Sequence, residues 1–411
     1  MNKIPYAIEN LRPELRLLVA CAKPQSSASA ENNAASLLPQ VTDWPYLFAA
    51  ADRHGVRMLF FRMLHGVNFA NVPEQWKEVS NEASRKQIEQ NLLFAAELAR
   101  LLRLLAANGI LGIPYKGPVL ALQAFGDLGL RDFGDLDILV RHRDIDGVTR
   151  LMQAEGYTLL LPAQPPGASE ASRVPGQYYF DRAPDFRAVE FHTEKTLRYY
   201  PVPLDLDRLR SRLITVPLAG ELAATFCAED ALNVLAVHGS KHLWSRLQWV
   251  TDLAWLLHAT HEFSWPLAME SAGELGAERM TLTGLALASQ IFSFELPPQI
   301  ARRVASGSSV KHAAAQALAE MFSGDAAPAG VAQRAVFRIR STRGPLSGIR
   351  YLLRLIASPT EEDWESARGS RLRQIVLRPL RLIHKYGWGF GRGSEKAAAR
   401  KRADDAAHRV A

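Results

Sequence analysis

Three carboxylates, and the spacing between them, carry the chemistry of this sequence. The run Arg131-Asp132-Phe133-Gly134-Asp135-Leu136-Asp137-Ile138-Leu139-Val140 sets two aspartates two residues apart at the start of an apolar, β-branched segment. In a strand, residues two apart share a face, so Asp135 and Asp137 aim both carboxylates one way. Two like charges that close are unfavourable without a cation between them. Magnesium relieves the repulsion and suits carboxylate and phosphate oxygens alike, and manganese can stand in for it. A third carboxylate on a neighbouring strand completes a two-metal site, and Glu190 in AVEFH is the candidate. One ion orients a triphosphate and steadies the leaving pyrophosphate. The other lowers the pKa of an acceptor hydroxyl for in-line attack on the α-phosphorus. Glu190 can also accept that hydroxyl's proton. Aspartates at a loop–strand junction often cap backbone amides instead. A Lys-Gly turn, an apolar strand and a downstream strand carboxylate, in that order, favour the metal site.

Other side chains gather around this core. Lys116 precedes a helix start, where a lysine and free backbone amides grip phosphates together. Gly117 permits close backbone approach. Arg131 is a candidate for neutralising phosphate charge, or else pairs with Asp127 or Asp132. His192, two residues beyond Glu190, shares its face and can bond a metal ligand or touch the acceptor. His238 and His242 have the spacing of a two-histidine zinc pair, but Gly-Ser-Lys lies between them and no third ligand stands out. They are read as packing under the catalytic unit or facing the nucleotide. Asp252 is expected to pair with Arg246 or Lys241. Trp244, Trp249 and Trp255 fall on one helical segment and read as a core stripe rather than a base-stacking platform.

The elements that must position these residues follow from periodicity. Residues 1–109 are helical; the segment from Gln87 repeats apolar residues every three or four positions, and Asn108-Gly109 ends it. From Ile110 the pattern changes to strand (LGIPY), helix (VLALQAF), loop (GDLGLRDFGD), strand (LDILV), helix (IDGVTRLMQAE) and strand (YTLLL). Asp144 is the expected N-cap and Gly156 the stop of the second helix. A Pro- and Gly-rich loop from Ala163 precedes a further strand, RAVEFHTE. From Glu229 one helical segment runs through AEDALNVLAVHGSKHLWSRLQWVTDLAWLLHAT, and helices follow to about Tyr386. The small, polar stretch after Ala22 reads as a loop, and residues 389–411 as a disordered basic tail.

Composition sets bounds. The 411 residues are 48% apolar and 22% charged, ordinary for a globular protein, and the net charge of +7 suits an anionic ligand but is equally common without one. No basic–aromatic stripe or nucleic-acid module is present, so nucleic acid is not the expected partner. Cys21 and Cys227 lie far apart without a CxxC pattern, which fits a reducing cytoplasm. No signal peptide and no membrane span are expected.

The pieces GIPYKGPVLALQAFGDLGLRDFGDLDILV, AVEFH and AEDALNVLAVHGSKHLWSRLQWVTDLAWLL resemble the uncharacterised bacterial nucleotidyltransferase family, a branch of the superfamily that includes DNA polymerase beta. YLLRLIASPTEEDW and VLRPLRLIHKYG are a weaker echo, and the resemblance spans most of residues 40–388. It implies an α+β fold: a small, mixed, palm-like sheet at 110–225, flanked by helical regions at 1–109 and 226–388. It also implies transfer of a nucleoside monophosphate from a triphosphate to a hydroxyl of a small molecule or protein. The superfamily usually has Gly-Ser in the turn, where this chain has Lys116-Gly117-Pro118, and Asp where it has Glu190. Two other functions remain open on the sequence: a catalytically weak or inactive nucleotide-binding module, and a toxin that nucleotidylates a host target.

Overall fold

The computed structural model describes residues 8–24, 32–33, 36–161, 177–182, 188–194, 206–322, 330–344, 346–350 and 353. The chain opens in helices: α1 (Pro13–Ala22), α2 (Trp44–His54), α3 (Arg57–Gly66) and the long α4 (Glu74–Ala107). Asp43 caps α2 by accepting from the Tyr46 amide at 3.0 Å. Asn108 and Gly109, the latter at φ +70°, end α4 where the sequence places the stop.

The alternating region follows as β1 (Ile113–Pro114), α5 (Gly117–Leu120, drawn out into a π-helical turn at Ala121–Phe125), β2 (Asp135–Leu139), α6 (Ile145–Ala154) and β3 (Thr158–Leu161). Asp144 precedes α6 but makes no cap hydrogen bond. Its φ −91°, ψ −7° is already helical, whereas a capping side chain needs an extended backbone. β4 (Gln177–Asp181) and β5 (Ala188–His192) complete the sheet. Sequence periodicity did not single out β4.

The strand order is β1-β2-β5-β4-β3, with β2 and β5 parallel and every other pair antiparallel. The sheet is therefore mixed, as expected. Across the parallel pair Asp137 stands opposite Glu190, and Leu139 opposite His192. The other face of these strands carries Leu136, Ile138, Val189 and Phe191, buried with Phe94, Leu98 and Leu101 of α4. Burying each such side chain stabilises by about 1.5–3 kcal/mol. A one-residue slip would turn Leu136 and Ile138 onto the carboxylate face and lose that burial. The apolar face thus fixes where the acidic face points.

A short helix, α7 (Leu206–Arg210), and a hairpin, β6 (Ile214–Leu218) and β7 (Glu221–Thr225), lead to the second helical region. That region holds α8 (Ala228–Lys241), α9 (Leu247–Ala259), α10 (Trp265–Glu274), α11 (Glu278–Phe292), α12 (Pro298–Ser306), α13 (Ser308–Phe322) and α14 (Val331–Arg340). The single helix expected from Glu229 is broken: α8 stops at Lys241, and Leu243 and Trp244 sit at φ +57° and +54° before α9 begins. The helices on both sides of the sheet share one core, where Leu17, Leu47 and Phe60 meet Leu232, Trp244, Leu253 and Leu285. Helices expected beyond residue 353 and the tail at 389–411 lie outside the described residues, as does most of the loop from Ala163. No described helix is long and apolar enough to cross a membrane.

Candidate metal and nucleotide site

The loop that delivers Asp135 and Asp137 is held from three sides. From α4, the Asn91 amide donates to the carbonyls of Leu128 and Arg131 at 2.6 and 3.0 Å, and Gln87 donates to the Phe133 carbonyl at 3.4 Å. From α3, Arg57 bonds both Gln87 and the Asp132 carboxylate. From α9, Gln248 donates to the Asp132 carbonyl at 2.7 Å, and Asp252 accepts two bonds from Arg131 at 2.9 Å each. Buried polar groups paired in this way specify one arrangement. This network sets the entry of β2.

At the end of that entry Asp137 is buried and central. Its Oδ1 accepts from Lys116 Nζ at 3.0 Å, lies 2.8 Å from His192 Nε2, and is 3.5 Å from the Tyr115 hydroxyl. His192 Nε2 also lies 3.1 Å from Glu190 Oε2. One atom from each of Asp137, Glu190 and His192 falls within 4.8 Å of the others, a grouping that could hold a metal ion. Two carboxylate oxygens and an imidazole nitrogen are a donor set that fits a divalent cation. Tyr115 closes one side, packing edge-on to His192 with centroids 5.6 Å apart and facing the Lys116 ammonium. Gly117 follows at φ +54°. A Cβ there would come within 3.2 Å of the Asp135 carbonyl oxygen, so this turn packs tightly on the start of β2.

The charges follow from these contacts. Burial would raise the Asp137 pKa, but the Lys116 charge and the His192 hydrogen bond outweigh it and hold the carboxyl well below its ordinary 3.8. Burial would likewise lower the His192 pKa; its bonds to Asp137 and Glu190 win and raise it above 6.5. Asp135 keeps exposed surface at the start of β2, yet its carboxyl is pushed up to about 6, first by loss of hydration and then by the charge of Asp137. His238, at the end of α8, is held neutral by burial first and by the Lys116 charge second.

Residues 40–293 match the profile of a family described as uncharacterised nucleotidyltransferase, well over half of the 411 residues. The chain belongs to the uncharacterised nucleotidyltransferase family. No curated protein matches it. Among solved structures, an antigenic nucleotidyltransferase-like protein from Paracoccidioides brasiliensis is 15% identical over 52% of this chain and 92% of its own, with a TM-score of 0.29. A likeness that remote carries no argument. The span of this nucleotidyltransferase family takes in every residue of the site, from the network on α3 and α4 to the helices α8 and α9.

Within this family member the residues anticipated from sequence divide into two groups. Lys116, Gly117, Asp137, Glu190 and His192 come together, and Asp135 stands beside them without entering the three-residue metal grouping. Arg131 is turned toward α9 instead. Its buried guanidinium pairs with Asp252 through Nε and Nη2, a pairing that the sequence did not suggest, while its charge still acts on Asp135 and Asp137. His238 and His242 lie 4.8 Å apart by centroid, and among the described residues they belong to no three-ligand cluster. Trp244 and Trp255 are buried as a core stripe should be, whereas Trp249 is half-buried and stacks on His242. Asn91, Gln87 and Gln248 were missed. Polar residues on apolar helix faces were the available signal.

The electrostatics yield a test. A group whose folded pKa is raised favours the fold at low pH. Asp135 therefore loses its contribution as pH climbs from 3.8 through about 6, and His192 as pH climbs from 6.5 through its raised value. A divalent cation held by these groups would replace those protons. Magnesium should raise the melting temperature more at about pH 8 than at about pH 5.5. At an ion concentration about ten times Kd the gain is about 1.4 kcal/mol. Equal shifts at both pH values would place the ion elsewhere.

Proposed function

We propose that this protein transfers a nucleoside monophosphate from a nucleoside triphosphate to an acceptor hydroxyl. One observation carries the reading: Asp137 and Glu190 face each other in register across parallel strands, with ligand atoms of both and of His192 within 4.8 Å. Asp137 and Glu190 are the residues that would hold divalent cations, with Asp135 as the further carboxylate two residues along the same face. Bound magnesium supplies positive charge for the triphosphate and lowers the pKa of the attacking hydroxyl. Lys116, ion-paired to Asp137, is the side chain placed to share itself with the phosphates. Glu190, part-exposed, is positioned to take the proton of the acceptor. His192 orients both carboxylates by bonding each. A small molecule or a protein side chain supplies the hydroxyl.

A second reading, nucleotide binding without transfer, is favoured by one feature. His192 bridges Asp137 and Glu190 as a cation would. The two readings part on pyrophosphate release, measured with magnesium, each nucleoside triphosphate and a panel of hydroxyl acceptors. In the transfer reading, Glu190→Gln should retain much of the triphosphate affinity and lower the turnover rate by about 100-fold, because its role is mostly in the transition state. Should Glu190→Gln lose triphosphate binding while turnover of bound nucleotide stays normal, that division of labour is wrong. Binding with no pyrophosphate release across the panel would favour the second reading.

A further inference from the structure

The turn between α8 and α9 is strained and firmly held. Leu243 and Trp244 both adopt positive φ, a conformation that side chains with a Cβ avoid. Trp244 anchors them: its ring is fully buried, and its Nε1 donates to Ser240 Oγ at 3.2 Å. The ring lies in a slot that only glycine can line, since a Cβ on Gly239 or Gly284 would come within 2.5 or 2.7 Å of it. Backbone strain held in place by its surroundings is a pointer to function.

What the turn sets side by side is a pair of flat rings. His242, just before it, stacks on Trp249, just after it, with centroids 5.1 Å apart and planes 26° from parallel. His238 abuts both edge-on, at 4.8 and 5.8 Å. Trp249 packs on the main core, and His242 is exposed. The stack is therefore backed by the core and reaches the surface at His242, whose imidazole is nonetheless held neutral, first by burial and then by the Lys241 charge. It also lies beside the metal grouping. Gln248, next to Trp249, bonds the Asp132 carbonyl, and Asp252, one turn on, holds Arg131, so the first turns of α9 lie against the loop that feeds Asp135 and Asp137. The Lys116 charge reaches both His238 and His242.

We propose that the His242–Trp249 stack is the nucleobase platform of this site, the base lying on the outer face of His242 while the triphosphate runs to Lys116 and the carboxylates. This rests on the nucleotidyltransferase reading and gives it a second half. Every base has a π-face, so such a platform accepts any base, with at most a modest preference set by stacking strength rather than by hydrogen bonds.

The test compares two probes on the full chain by calorimetry: magnesium–ATP, which has a base, and magnesium–tripolyphosphate, which has none. His242→Ala and Trp249→Ala should each weaken ATP binding by about 5- to 100-fold and leave tripolyphosphate binding unchanged. Trp249→Phe, which keeps a flat ring, should restore most of the loss. ATP should quench the fluorescence of the wild type, and the Trp249→Phe variant should lose that quenching. Unchanged ATP affinity in both alanine variants would overturn the platform, and so would an equal loss for both probes. A wild type that binds neither probe would overturn the nucleotide reading itself, and the platform with it.

Discussion

Asp137→Asn should abolish nucleotidyl transfer, lowering its rate by about 1000-fold or more, and should remove most metal-dependent nucleotide binding. Removing one preorganised charge-stabilising group typically costs about 100- to 1000-fold. Asp137 is more than one such group: Lys116, His192 and Tyr115 all converge on its Oδ1, and Glu190 lies directly across the strand pair. Asparagine keeps the size of the side chain and removes the charge that all of these contacts use. Asp135→Asn should cost less, since Asp135 lies outside the three-residue grouping. Pyrophosphate release and calorimetric titration with and without magnesium measure both effects, and a thermal melt shows that each variant is folded. Full metal-dependent binding by Asp137→Asn would remove this residue from the site.

Breaking the Arg131–Asp252 pair should destabilise the protein by about 3–5 kcal/mol, the usual cost of leaving one buried charge without its partner. Both groups are buried and joined by two bonds of 2.9 Å. Either Arg131→Leu or Asp252→Leu alone should therefore shift urea unfolding strongly. The double variant should recover most of the loss, because no charge remains to be desolvated. It should not recover activity, because Arg131 and Asp252 tie the loop before Asp135 to α9. If each single variant unfolds like the wild type, the guanidinium and carboxylate are not locked together, and Arg131 returns as a candidate phosphate ligand.

The strand positions of Asp135, Asp137 and Glu190 were legible because the pattern is local: two aspartates two apart, then a carboxylate inside another short apolar strand; that His192 and not Asp135 joins Asp137 and Glu190 in the three-residue grouping was not. The ion-pair partner of Arg131 was misread because it lies 121 residues away on a helix whose orientation no periodicity reveals. His192 was placed on the correct face by the two-residue repeat, but bridging two carboxylates depends on the register between β2 and β5. β4 has the alternation of a strand, Tyr178 and Phe180 being buried on one face, yet it is only five residues long. The β6–β7 hairpin was hidden for another reason. Its turn residues Ala219 and Gly220 sit at φ +49° and +84°, and alanine gives no signal for a conformation usually filled by Asn, Asp or Gly. The break at Leu243 and Trp244 is the same case. Residues that normally continue a helix are bent out of it by the fit of Trp244 between two glycines.

The core shared by the first and last helices has a consequence for how the protein is made. Leu17, Leu47 and Phe60 emerge early from the ribosome, but their partners on α8, α9 and α11 emerge well over a hundred residues later. Until then α1, α2 and α3 can cover one another only in part. Contacts that distant in sequence form slowly, and apolar surface left open meanwhile is the kind that aggregates. The newborn chain thus carries partly uncovered apolar helix faces until residues 228–292 have been made.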